Sequence, residues 1–195
     1  MRLIEKSSLD AYALQFWQRQ KQKHDPNDGL AISGIERGES RVSWLANIHP
    51  YKLPKPYNVT IELVEVQAAD ELDRLLIHDY MVRDNWMVER CLVPCQKTRR
   101  IGDMAQLALE RKYFESDRDD RQIKLYKEWK DKDSLDGFIG DQEYPLLEQT
   151  WEHELEIVDG WGRLHAMSAL IRRPRDFRPF KALLASRAGI EPDSV

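Results

Sequence analysis

"HELEIVDGWGRLHAMSALI", residues 153–171, is the stretch whose reading decides the fold. Alternating apolar positions from Leu155 to Val158 predict a strand, and the Asp-Gly-x-Gly-Arg run after it turns the chain directly into a helix through Ile171. Gly160 and Gly162 permit backbone conformations closed to residues with a Cβ. A helix starting near Gly162 faces the turn with unpaired N–H groups, and its dipole favours an anion there. Arg163 adds a permanent charge and several directed donors. Two readings of these residues are open. In one, Gly160, Trp161, Gly162 and Arg163 cradle a phosphate or nucleotide, Trp161 covers a base, and Asp159 or His165 positions a metal or moves a proton. In the other, Asp159 caps the helix, Arg163 pairs with a surface carboxylate, Trp161 is packing and His165 is a partly buried polar residue.

Working outward, "LLEQTWEHELEIV" (146–158) predicts a hairpin leading into this motif. Helices are predicted at "GDMAQLALERKYF" (102–114) and "DRQIKLYKEWKDK" (120–132), the second with Ile123, Leu125 and Trp129 facing inward. Nearer the N-terminus, Ser8 caps a helix in which Leu9, Tyr12, Ala13, Phe16 and Trp17 recur at helical spacing. The chain then breaks at Pro26 and Gly29, and the segment to Pro56 reads as loops with a short strand or turn at "VSWLANI" (42–48). "YNVTIELVEV" (57–66) is the clearest early strand. "DELDRLLIHDYMVRD" (70–84) changes to helical period, with Leu72, Leu75, Leu76 and Tyr80 on one face and Asp70 as a cap; "MVERCLVPC" (87–95) reads as the next strand. Phe180, Leu183 and Leu184 suggest a last helix. Strands alternating with helices point to an α/β or α+β fold.

With 195 residues, 42% hydrophobic and 33% charged, the chain can bury a real core beneath a highly charged surface. No apolar run approaches the roughly 20 residues that span a bilayer, and "MRLIEKSSLDAY" lacks a secretory apolar region, so no membrane and a cytoplasmic location are expected. The net charge of −4 implies no general affinity for nucleic acid. Charge is uneven, however: the tail "RRPRDFRPFK" (172–181) is basic after an acidic stretch. Arg172, Arg173, Arg175, Arg178 and Lys181 are therefore candidates to meet DNA or RNA phosphates, against the alternative of a solvated surface. Cys91 and Cys95 are the only cysteines. At strand spacing they sit roughly 13 Å apart, too far for a relaxed disulfide, which favours buried thiols. A zinc site there would have to recruit His78 or His49.

The residues Gly160, Arg163 and Ala166 in "GWGRLHA" fit the pattern G-x-x-R-x-x-A, with Leu164 also in agreement. Upstream, "GFIGDQEYPLLEQTWEHELEIVDG" (137–160) runs from a helix end through Gly137 and a Pro-led strand to a second strand entering the motif. In these features the chain resembles the ParB/sulfiredoxin-like superfamily, over roughly residues 87–180. The resemblance implies a ParB-like mixed sheet with surrounding helices over 87–195, an N-terminal elaboration over 1–86, and a nucleotide-phosphate site beside the motif helix; a nucleotide there could bring Mg²⁺ with it. Trp161 and Gly162 stand where ParB proteins typically present Glu and Arg, a departure from the pattern for CTP binding and hydrolysis. The turn also lacks the cysteine that sulfiredoxins use to reduce sulfinic acid, and the short tail leaves no room for the downstream helix-turn-helix region.

Other arrangements are weaker. His78–Asp79 is a single dipeptide without the further ligands of a metal phosphohydrolase, and there is no Walker A sequence or complete dinucleotide fingerprint. A Ser/His/Asp triad needs spatial proximity that sequence does not specify. Carboxylates such as Glu154 and Glu156 could supply a Mg²⁺ site or point to solvent. The expected partners are a nucleotide, DNA or RNA, or a protein surface, the last using tryptophans such as Trp17, Trp44, Trp86, Trp129 and Trp151 as core or interface.

Overall fold

In the computed structural model, which describes residues 1–23, 40–48, 50–54, 59–77, 99–140, 143–150, 152–172 and 177–187, the central strands are apolar on both faces. Along Val59–Val66 the odd positions Ile61 and Leu63 enter one buried cluster, and the even positions Val64 and Val66 enter another. This is the period-2 pattern of a strand covered on both sides.

The strands are β1 (Arg2–Ser7), β2 (Val59–Val66), β3 (Leu76–Ile77), β4 (Leu146–Gln149), β5 (Leu155–Asp159) and β6 (Phe180–Arg187). They form one mixed sheet in the order β1-β2-β6-β4-β5-β3. β2 is antiparallel to both β1 and β6, β4 is antiparallel to β5, and the β6–β4 and β5–β3 pairs are parallel. The helices are α1 (Leu9–Lys23), α2 (Arg41–Ile48), α3 (Ala69–Asp73), α4 (Ile101–Glu110), α5 (Arg121–Trp129) and α6 (Trp161–Leu170). α1 and α2 cover one face through Tyr12, Phe16, Trp44 and Leu45, while α3 to α6 cover the other through residues such as Leu72, Met104, Ile123 and Leu164. The expectation of an α/β or α+β fold is met by this layered mixed sheet. The expected boundary at 86/87 lies outside the described residues; in the sheet, β6, β4 and β5 from its C-terminal side lie between β1–β2 and β3 from its N-terminal side.

The N-terminal helix forms as its periodicity requires, with the Ala11 N–H donating to Ser8 Oγ at 3.1 Å. The β4–β5 hairpin and the helices α4 and α5 also form where expected. Three expectations are corrected. "VSWLANI" is helical rather than loop or strand: Ser40 caps it, with the Ser43 N–H 3.2 Å from Ser40 Oγ, and Trp44 and Leu45 are buried beside α1. The helix expected from Asp70 ends at Asp73, Ala68 rather than Asp70 occupies the N-cap position, and Leu76 and Ile77 pair with the free edge of β5. Tyr80 and the predicted strand at 87–95, with Cys91, Cys95, His78, Asp79 and His49, lie outside the described residues, as do Trp86 and Trp151.

Finally, Phe180, Leu183 and Leu184 belong to strand β6, not a helix. This strand lies third in the sheet, so Phe180 and Ala182 enter one cluster while Leu183 and Ala185 enter the other. A strand buried on both faces loses polar alternation, and a short apolar run then looks like helix core.

Candidate functional site

β5 delivers Asp159 at its C-terminal end, and Gly160 turns the chain into α6 with φ of 91°. This left-handed conformation favours glycine, and a Cβ here would lie 3.0 Å from Pro145 Cβ and 3.2 Å from Arg163 Nη2. Gly162 is different: it lies within α6, and an added Cβ would meet only Gln122 at ordinary contact distance, 3.6 Å. Gly160→Ala is therefore expected to cost at least about 1–2 kcal/mol from the positive φ alone. Gly162→Ala should be neutral or stabilise by up to about 1 kcal/mol through helix propensity. Denaturant midpoints of the two variants check this; equal losses would show that the turn does not depend on Gly160 in particular.

Gly160 rather than Asp159 occupies the N-cap position of α6, and the Asp159 side chain is engaged by two cations instead. Its buried carboxylate is held between two cations from the other face of the sheet. Arg19 Nη2 of α1 donates to Oδ2 at 2.8 Å, and Lys52 Nζ of the 3-10 turn Pro50–Lys52 donates to Oδ1 at 2.7 Å. Burial alone would raise the Asp159 pKa, but Lys52 and Arg19 outweigh it and hold the carboxyl well below its usual range. Tyr12 lies close enough to feel the same charges. Its hydroxyl is buried without a hydrogen-bond partner among the described residues, and burial, then Asp159, raise it well above 10.

Arg163 is 3% exposed, an extreme for a guanidinium. Nη1 donates to the Glu143 carbonyl and, at 3.1 Å, to Glu143 Oε2. Nη2 is buried with no hydrogen-bond partner among the described residues. Burial, followed by repulsion from Arg19, pulls its pKa down to about 10 despite Asp159 and Glu143, so the side chain stays charged at neutral pH. The surface-carboxylate reading thus accounts for one arm of Arg163 and leaves the other unsatisfied.

These residues line a cleft of about 150 Å³ whose walls are Arg19, Lys52, Arg121, Asp159, Gly160, Trp161, Gly162 and Arg163. Arg121 begins α5 and is flanked by an anchored network. Tyr113 Oη donates to Asp120 Oδ2 at 2.7 Å and accepts from Gln122 Nε2 at 2.6 Å. The cleft lies at the N-terminal, positive end of α6, and so combines four cationic side chains with the favourable end of a helix dipole. It lies beyond the carboxyl end of a sheet strand, where α/β proteins commonly bind ligands.

His165 is placed elsewhere. It is fully buried one turn along α6, among Tyr113, Phe114 and Trp161, with ring centroids 6.3, 5.1 and 6.1 Å away. Burial pushes it down to about 4, and the Met104 backbone offsets only part of that. Neither ring nitrogen makes a hydrogen bond of normal geometry among the described residues, so the Met104 contact is a weak one. The ring is neutral at pH 7 and is absent from the cleft wall.

The basic tail is split. Arg172 is tied inward: Nη2 lies 2.9 Å from Asp73 Oδ2 and 2.8 Å from the Gly102 carbonyl, and Nη1 reaches Asp73 Oδ1 and the Ser168 carbonyl. Gly102 permits this approach, because a Cβ there would fall 2.7 Å from Asp73 Cβ. Arg178 is half exposed, 3.7 Å from Asp136, and Lys181 is exposed on β6. Arg173 and Arg175 lie outside the described residues. Arg99 lies 3.8 Å from Glu156, and no group of three or more His, Cys, Asp or Glu able to hold a metal occurs among the described residues. No described helix is long and apolar enough to cross a membrane.

Arg19, Lys52 and Arg121 are absent from the sequence expectations. A signal existed for Arg19: Tyr12, Phe16 and Arg19 share one helical stripe, and an arginine on an apolar stripe requires a buried counter-charge. Lys52 and Arg121 carry no comparable local mark. Comparison with protein families, curated proteins and solved structures finds no match to this chain.

Proposed function

We propose that the cleft at the start of α6 binds the phosphate of a nucleotide or similar phosphorylated small ligand. The observation that carries this reading is Arg163, a buried guanidinium that lines the cleft and whose Nη2 has no hydrogen-bond partner among the described residues. A buried donor left unsatisfied costs about 1–3 kcal/mol, more when charged, and an oxyanion in the cleft would recover it. The volume of about 150 Å³ suits one oxyanion group rather than a whole nucleotide, for which enclosed sites run from about 300 Å³. The remainder of the ligand would lie outside, beside Trp161.

The chemistry supported is binding and charge recognition. Asp159 is ionised and occupied by Arg19 and Lys52, which makes it a poor proton acceptor near neutral pH. Its role in this reading is to position the two cations. A Mg²⁺ accompanying the ligand would take its ligands chiefly from phosphate and water, as this small ion commonly does. ParB-like kinship enters only through Gly160, Arg163 and Ala166; the ligand assignment stands on the cleft.

Isothermal titration with ATP, CTP and GTP, with and without Mg²⁺, tests the proposal. Binding is expected for the native chain, with at least about tenfold loss in Arg121→Gln, since one charge-assisted hydrogen bond contributes about 1.5–3 kcal/mol. Arg121 is exposed, so its variant should fold where Arg163→Ala need not. No binding at millimolar nucleotide by folded protein would overturn the reading.

A further inference from the structure

The geometry points to a narrower ligand class, resting on the phosphate reading above: the cleft takes a terminal phosphomonoester as its dianion, in preference to singly charged oxyanions. Among the described residues, the wall sets Arg19 from α1, Lys52 from the 3-10 turn, Arg121 from α5 and Arg163 from α6 against one carboxylate, Asp159. Glu143, 3.1 Å from Arg163, contributes a second negative charge from beside it. Among these six groups the balance is two positive charges. A phosphomonoester above its second ionisation near pH 6 carries about two negative charges, whereas a diester, a carboxylate or a sulfate ester carries about one.

The donors also suit a group with three terminal oxygens. Arg163 comes from the buried side, the positive end of the α6 dipole lies at the cleft, and Arg121 stands at the exposed rim. A singly charged ligand would leave the excess half neutralised in a site where Arg19 and Arg163 already repel each other. The shifted groups at or beneath the cleft lie away from the range pH 5 to 8. Burial raises Tyr12 well above 10, Lys52 and Arg19 hold Asp159 below the usual carboxylate range, and burial holds His165, stacked on Trp161, at about 4. A pH dependence of affinity between 5 and 8 would then report the ligand's second proton.

Titration of the full chain with phenyl phosphate and phenyl sulfate at pH 5 and pH 8 separates the possibilities, with circular dichroism confirming the fold at both values. Phenyl phosphate is expected to bind about tenfold more tightly at pH 8, following its dianionic fraction. Phenyl sulfate, a monoanion throughout, should bind weakly and equally at both. Arg121→Gln should weaken phosphate binding at pH 8 more than sulfate binding. Equal affinities for the two esters at both pH values would overturn the dianion preference while leaving an oxyanion cleft intact. If neither ester binds folded protein at millimolar concentration, the dianion preference and the phosphate reading both fail.

Discussion

Asp159→Asn is expected to destabilise the protein by about 3–5 kcal/mol, the usual cost of removing one partner from a buried ion pair. The substitution keeps the shape of the side chain and removes its charge. Arg19, 8% exposed, and Lys52, 18% exposed, would then face each other and Arg163 without their shared counter-ion. For a chain of this size each kcal/mol moves the melting temperature by about 2–4 °C, so a fall of roughly 6–20 °C is expected in a calorimetric scan. Adding Arg19→Met to Asp159→Asn should recover part of the loss, because the two positions share one interaction. A loss below about 1 kcal/mol would show that solvent, not Asp159, carries the two cations. Acid should reproduce the effect: a carboxyl whose pKa is depressed by folding contributes stability above its unfolded value, near 3.9, and loses it as pH falls through the folded value.

A second loss is expected at milder pH. His165 titrates near 6.5 in an unfolded chain and near 4 in the fold, where burial disfavours its charged form. Between those values the unfolded state binds a proton that the folded state refuses, so stability falls as pH drops from about 6.5 to 4 and is unaffected by this residue above that window. The difference of about 2.5 units corresponds to about 3 kcal/mol at pH 4. Urea titrations at pH 7, 5.5 and 4 measure it. His165→Phe, which places an apolar ring among Tyr113, Phe114 and Trp161, should flatten this part of the profile. An unchanged slope in that variant would assign the acid sensitivity to other groups.

Local pattern made much of the architecture legible. The helical stripe from Leu9 to Trp17, the alternation in Val59–Val66 and the strand–turn–helix of 155–170 all appear in place, because each is a short-range consequence of burying one face. The errors lie where tertiary partners override that pattern. The two buried clusters on either side of the sheet cover both faces of β6 and erase its alternation, and the edge of β5 draws Leu76 and Ile77 out of a helical register.

The candidate site divides in the same way. The glycine turn and the helix that follows were readable from one stretch of nineteen residues, since backbone conformation depends on immediate neighbours; that Gly160 is the left-handed glycine while Gly162 lies inside the helix was not. What surrounds Asp159 and Arg163 was not. Arg19 lies 140 positions from Asp159 in the chain, Lys52 lies 107, and Glu143 lies 20 from Arg163. Which charges meet there depends on a sheet order that no local periodicity encodes, and burial then decides how strongly they act on one another.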